Sequence, residues 1–224
     1  MKHFVVSWSG GKESSLACYK AMAQGFTVSF LLNFISEKDG RCMSHGLVSK
    51  LIRTQAQAIE IPVVQRKVAW NTYERGFKEA IIELKRVGVG GAVFGDVDLQ
   101  GHKDWVDRIC KELDIEPAEP LWGADPEQVL ADFIKEGFEA VVVRTKADIL
   151  GEEWLGRRVD ESFVKDLRER QKELNFHLLG ESGEYHTFVT GGPIFKRGIK
   201  ILKTQKILKN GYWTLDILKW RVQS

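Results

Sequence analysis

The chain begins with the apolar run Phe4-Val5-Val6, continues into Ser9-Gly10-Gly11-Lys12-Glu13-Ser14, and passes at once into an amphipathic stretch. A strand, a glycine turn and a helix start therefore coincide in one short segment. Two glycines let the backbone approach a ligand and turn its N–H groups inward. The helix behind them offers unpaired donors and the positive end of its dipole. Lys12 adds a full positive charge, and Ser9 and Ser14 add hydroxyls. An ordinary strand-to-helix turn needs neither the lysine nor the serines, so the segment reads as a phosphate site on an α/β framework.

The loop is not a Walker A loop. That pattern needs glycine five residues before the Gly-Lys pair and Ser or Thr after the lysine, where this chain has Val6 and Glu13. No dinucleotide fingerprint appears either, since Gly88-Val89-Gly90 lacks its third glycine. Downstream, the apolar runs 4–6, 28–35, 62–64 and 92–94 alternate with helical patterns at 14–23, 47–59, 73–87 and 105–113. Short apolar strands alternating with amphipathic helices predict a Rossmann-like parallel sheet with helices on both faces. Ligands on such sheets sit beyond the carboxyl ends of the strands, which brings Gly95-Asp96-Val97-Asp98 towards the phosphate loop.

From about Trp122 the pattern changes. Asp125-Pro126 marks a helix start, 160–174 reads as a further helix, and strands are expected at 140–143, 185–189, 199–208 and 212–222. The last two flank Asn210-Gly211, a strong two-residue hairpin signal. The expected organisation is a nucleotide-binding domain over 1–123 and a smaller α+β domain over 124–224.

Composition excludes several classes. With 33 basic against 31 acidic residues among 224, the near-neutral chain has no broad field for nucleic acid. Cys18, Cys42 and Cys110 are scattered without a Cys-x-x-Cys pair, which fits a reducing compartment rather than a zinc or iron–sulfur site. No apolar run reaches the roughly 18 residues a membrane helix needs. A cytoplasmic location and no membrane association are expected.

A second stretch also looks chemical: Gly180-Glu181-Ser182-Gly183-Glu184-Tyr185-His186-Thr187. Carboxylates on a constrained backbone could bind a cation, ammonia or magnesium; the competing reading is a glycine turn opening a strand. Ser9–Ser14 resembles the PP-loop Ser-Gly-Gly-x-Asp-Ser of the N-type ATP pyrophosphatases, with Glu13 in the aspartate's place. The PP-loop, Glu119-Pro120-Leu121-Trp122, Trp154-Leu155-Gly156 and the late glycine–glutamate stretch occur in this order. Together they resemble the diphthine–ammonia ligase family over essentially the full length. Two departures from the family pattern are Leu179 before the glycine–glutamate stretch, often Cys, and Met43-Ser44-His45-Gly46, unlike the eukaryotic aromatic–His–Thr form.

That resemblance implies an acid–ammonia ligase using ATP and Mg²⁺. It would adenylate the carboxylate of diphthine on elongation factor 2, release pyrophosphate, then let ammonia from ammonium displace AMP. On this reading Gly10, Gly11, Lys12 and Ser14 hold the β and γ phosphates, with Ser9 at the rim and Glu13 alongside. Asp96 meets magnesium or ribose, or alternatively caps the next helix. His45 lies near the α phosphate, and Asn33 and Ser36 lie on the adenosine side. Glu181, Glu184, His186 and Thr187 form the acceptor pocket, with Gly180, Gly183, Tyr185 and Trp122 as further substrate contacts. His102 is expected as an exposed residue at a helix start. Two other readings stand beside this one: a PP-loop enzyme with a different acceptor, and a nucleotide sensor without turnover. A homo-oligomer is compatible with all three. Lys12→Ala is expected to abolish AMP formation with the fold intact.

Overall fold

The computed structural model describes residues 2–223. Five parallel strands form the first sheet: β1 (His3–Ser7), β2 (Thr27–Ser36), β3 (Val63–Val68), β4 (Val89–Val93) and β5 (Glu116–Ala118), in the order β3-β2-β1-β4-β5. Helices α1 (Lys12–Ala23), α2 (Ser49–Ile59), α3 (Tyr73–Lys85) and α4 (Gln100–Leu113) connect them. Strand pleat decides which residue serves which layer. Phe4, Val6 and Leu31 enter one core with α1 and α2. Val5 and Leu32 point the other way, into a second core with Phe77 and Ile81 of α3 and Val106 and Ile109 of α4. The parallel sheet is thus covered on both faces, as its continuous apolar strands require.

Strand β5 carries no apolar signature: Glu116 and Pro117 are exposed and only Ala118 is buried. It escapes detection in the sequence because register with β4, not hydrophobicity, recruits it. The strand order reverses direction at β1, so β1 and β4 are neighbours whose carboxyl ends open a crevice between them. The phosphate loop follows β1 and Gly95-Asp96 follows β4. A Cβ on Gly95 would lie 2.9 Å from the Glu13 carbonyl carbon, so glycine lets the two strand ends close on one another.

The second sheet is antiparallel, in the order β7-β6-β9-β8, with β6 (Glu139–Lys146), β7 (Tyr185–Gly191), β8 (Ile199–Lys209) and β9 (Tyr212–Val222). Helix α5 (Pro126–Lys135) starts where Asp125 accepts the amides of Glu127 and Gln128. Helix α6 (Glu161–Glu173) starts where Asp160 accepts the Phe163 amide. Asn210 and Gly211 both have positive φ, 51° and 76°, the paired geometry of a tight hairpin turn. Val142, Phe188 and Val189 of this sheet join the same buried cluster as Phe4, Leu16 and Leu51. No helix among the described residues is long and apolar enough to cross a membrane.

Candidate active site

The phosphate loop is built by side chains far away in sequence. Val189 N donates to the Gly10 carbonyl at 3.0 Å. Gln55 of α2, fully buried, donates to the same carbonyl at 3.0 Å and to the Val189 carbonyl at 2.7 Å, and accepts from Trp8 Nε1 at 2.9 Å. This one amide ties β1, the loop and β7 together. Gln55→Leu strands the Trp8 indole N–H and the Val189 carbonyl, at about 1–3 kcal/mol each. The expected result is a total loss of roughly 3 kcal/mol in urea unfolding with an unchanged m-value; a midpoint like that of the wild type would reject the strut role.

Two loop amides are already occupied. Gly11 N donates to Ser9 Oγ at 3.2 Å, and Lys12 N donates to Thr187 Oγ1 at 3.1 Å. Thr187, expected as a substrate contact, is instead a completely buried cap on the loop, and its carbonyl accepts from His45 Nδ1 at 2.8 Å. Lys12 is buried as well. Its Nζ lies 2.5 Å from Glu13 Oε1, 2.7 Å from the Leu179 carbonyl and 4.2 Å over the Tyr185 ring. Burial opposes its charge, and Glu13 and Tyr185 outweigh that, so its pKa stands above the usual lysine value.

The late glycine–glutamate stretch divides into two roles. Glu184 is buried and accepts the His177 amide on Oε1 and the Ser182 amide on Oε2, both at 3.0 Å. The sequence reads it as a catalytic residue; in the structure each of its oxygens accepts a loop amide, and it does not line the cavity beside the phosphate loop. Glu184→Ala is expected to lower stability by about 1–3 kcal/mol, while Glu184→Gln, which keeps one acceptor, loses less; calorimetry of the pair checks this. Glu181, by contrast, faces a cavity of about 200 Å³ lined also by Ser7, Ser9, Lys12, Glu13, Ser14, Ser44, His45, Asp96, Gly180, Tyr185 and His186. The two motifs, 170 residues apart, share this one space.

Two further openings adjoin it. A slot of about 80 Å³ between Leu32, Phe34, Met43 and Tyr73 shares Ser7, Ser9, Ser44 and His45 with the first cavity. A wider cavity of about 630 Å³ shares Ser44, Glu181 and His186. Asn33 borders the slot, but its amide donates to the Trp8 carbonyl and its oxygen accepts from Gln65, so a nucleoside role for its side chain is not supported. Ser36 and Gly183 border the wide cavity, not the slot. Trp122 is half-buried and borders none of the three. Ser7, Ser44, Tyr73, Gln55 and Arg144 belong to the site without having been expected there, whereas Gly95 stands where its segment was expected. Only the Gly95 segment was foreseeable, from its place after β4.

His45 and His186 pack together with ring centroids 4.6 Å apart and planes tilted by 36°. Burial, with the Lys12 and Arg144 charges near, lowers His45 to a pKa of about 4. Burial and the His45 ring push His186 well below the usual histidine value. Both imidazoles are therefore neutral near pH 7. A histidine whose folded pKa lies below its unfolded value near 6.5 contributes stability present above pH 6.5 and lost as pH falls towards 4. The expected cost at the acid end is up to about 3 kcal/mol for His45. Unfolding free energy measured from pH 7.5 to 4.5 should fall in the wild type and fall less in His45→Asn; parallel curves would contradict the assignment.

Asp96 does not cap α4, whose N-cap is Leu99. Its carboxylate accepts from His102 Nδ1 at 2.8 Å, which raises the exposed His102. Asp96, His102 and Glu181 bring ligand atoms within 4.8 Å of one another. Glu13 Oε1, close to Lys12 Nζ as an ion pair, makes no directed hydrogen bond. Burial, then the Glu13 and Asp96 charges, raise Glu181 to about 8. Three carboxylates crowd one cavity, a hard-oxygen donor set that fits Mg²⁺.

Residues 1–117 match the family described as diphthamide synthase N-terminal domain, and residues 125–221 match the diphthamide synthase C-terminal domain. The chain is 26% identical over 223 residues to the diphthine–ammonia ligase of Rattus norvegicus and 25% to that of Homo sapiens, covering 89% of this chain and 83% of each relative. The Schizosaccharomyces pombe diphthine–ammonia ligase matches 94% of this chain at 25% identity over 38% of its own length. A crystal structure described as a predicted subunit of tRNA methyltransferase from Methanocaldococcus jannaschii superposes with a TM-score of 0.47 at 16% identity, over 86% of this chain and 98% of that one.

Proposed function

Because the chain belongs to the diphthamide synthase family, whose two domain descriptions it matches in turn, we propose that it is an ATP-dependent, AMP-forming ligase that amidates a carboxylate, with diphthine on elongation factor 2 as the acceptor. The observation that carries this reading is the single cavity walled jointly by the phosphate loop and by Glu181 and His186.

A carboxylate at neutral pH does not yield to ammonia, because oxide is a poor leaving group. One carboxylate oxygen attacks the α phosphorus, the bond to the β-phosphate oxygen breaks, and pyrophosphate departs. Ammonia then adds to the acyl carbonyl, and AMP leaves with the former carboxylate oxygen. Ser9, Ser14 and Lys12 hold the departing pyrophosphate, and the fixed cation offsets charge that grows as the bond breaks. The slot beside Tyr73 takes the nucleoside, which sets the α phosphate near His45 and His186. Their neutral rings keep the site free of a competing positive charge and can hydrogen-bond the incoming ammonia. Glu13, Asp96 and Glu181 would hold Mg²⁺, which when bound supplies charge neutralisation along the phosphates. The rest of the work is alignment of the reacting groups.

Incubation with ATP, Mg²⁺, ammonium and diphthine-bearing elongation factor 2 is expected to give equal amounts of AMP, pyrophosphate and amidated acceptor, read by chromatography and mass spectrometry. ADP as the nucleotide product would overturn the reaction type. AMP formation independent of that acceptor would overturn the acceptor.

A further inference from the structure

The widest opening at the site is not the one beside the phosphate loop. It is the adjoining cavity of about 630 Å³, within the range that small-molecule sites occupy. One of its walls carries an unusual cation. Arg144 of β6 lies over the Tyr212 ring, its Cζ 4.2 Å from the centroid. The residue is half-buried, and its Nε is buried with no hydrogen-bond partner among the described residues. Buried guanidinium groups are ordinarily paired or hydrogen-bonded, because the uncompensated charge is costly. The cavity's other guanidinium, Arg41, is consumed: it grips both oxygens of Asp216 and the Gly46 carbonyl. Burial draws Arg144 below the usual guanidinium pKa, and the chain's own anions do not restore it.

Position matters as much as charge. Strand pairing sets Arg144 opposite His186. Its Nη1 would lie 3.7 Å from a Cβ on Gly46, the residue after His45. The guanidinium therefore stands beside both imidazoles, at the seam where the wide cavity meets the phosphate cavity. We propose that Arg144 is the anchor for the acceptor's reacting carboxylate, holding it at that seam with one oxygen free to attack the α phosphorus. This rests on the ligase reading above and names a group that binds the acceptor within it. Stacking on Tyr212 fixes the guanidinium plane, so it offers an edge that suits the two oxygens of a carboxylate. Glu37, Lys38 and Asp39 border the same cavity, a mixed-charge rim that offers no broad cationic field for a polyphosphate.

Two measurements test this on the full chain. The first is site-resolved phenylglyoxal labelling with malonate as the competing anion. Malonate is expected to protect Arg144 and to leave Arg53, exposed on α2, unprotected; unchanged labelling at Arg144 overturns the proposal. The second is steady-state kinetics of Arg144→Gln and Arg144→Lys. Losing a bidentate charge-assisted contact is expected to raise KM for diphthine-bearing elongation factor 2 roughly 30- to 100-fold in R144Q, with KM for ATP and the melting temperature held. R144K is expected to fall between, since a point charge lacks the fork. Equal shifts in both KM values, or a matching fall in melting temperature, mean a structural arginine and overturn it. If the wild type forms no AMP with that acceptor, the ligase reading fails while malonate protection still decides the carboxylate site.

Discussion

Lys12→Ala is expected to cut AMP and pyrophosphate release by on the order of a thousandfold or more. The lysine is the one full positive charge of the phosphate loop, and it lines the cavity. Its surroundings add a consequence that the loop motif alone does not announce. Nζ also meets the Leu179 carbonyl, Glu13 and the Tyr185 ring, in a site where the side chain is only 3% exposed. Truncation leaves Glu13, half-buried with its Oε1 shielded from solvent, without its counter-charge, which costs less than the ~3–5 kcal/mol of a fully buried pair. The expectation that the fold is unaffected therefore gives way: Lys12→Ala should melt earlier as well as fail to turn over. Lys12→Arg separates the two effects. It keeps the charge, so stability should largely return, while a misplaced fork leaves activity low. Product release is measured well below the melting temperature of each variant, with circular dichroism confirming the fold. Wild-type turnover in folded Lys12→Ala would show that this loop does not carry the pyrophosphate.

Gly10→Ala is expected to be strongly destabilising. Gly10 adopts φ +84°, a conformation that costs an L side chain about 1–2 kcal/mol. The added Cβ would also stand 2.5 Å from Ile52 Cδ1 and 2.7 Å from Gln55 Oε1. Neither neighbour can step aside. Ile52 is completely buried in the core, and Gln55 is held by three hydrogen bonds. Strain and overpacking together should remove about 3–4 kcal/mol, which for a chain of this size lowers the melting temperature by about 10 °C. Nucleotide affinity should fall with it, because relief of the clash displaces the loop. A melting temperature within about 2 °C of the wild type would mean that the loop is softer than its packing indicates. Gly11→Ala offers a comparison without backbone strain: its clash is with His45 Cε1, and it should act through the imidazole instead.

The α/β alternation, the loop after β1, the hairpin at Asn210-Gly211 and the cap Asp125 were legible in the chain. Each is a local property: periodicity, a turn conformation or a donor two or three residues away. Glu181, Lys12 and His186 were singled out from contiguous motifs, and all three line one cavity. The residues that stand apart from it share one feature. Glu184, Thr187 and Asn33 have the right residue types for a site, yet their polar atoms are spent on the His177 and Ser182 amides, the Lys12 amide and the Trp8 carbonyl. A motif shows which groups stand near one another, not which of them are already satisfied.

The amino-acid order by itself thus determined a parallel sheet with a phosphate-binding turn at its first strand, since strand period, glycine freedom and a helix dipole are written into a few adjacent residues. Only the tertiary structure decided that β7 lies along that turn, that Gln55 fastens the two, and that Arg144 faces the cavity unpaired. Those outcomes depend on how two sheets bury a common core, and packing is what turns one carboxylate onto loop amides and another into the cavity.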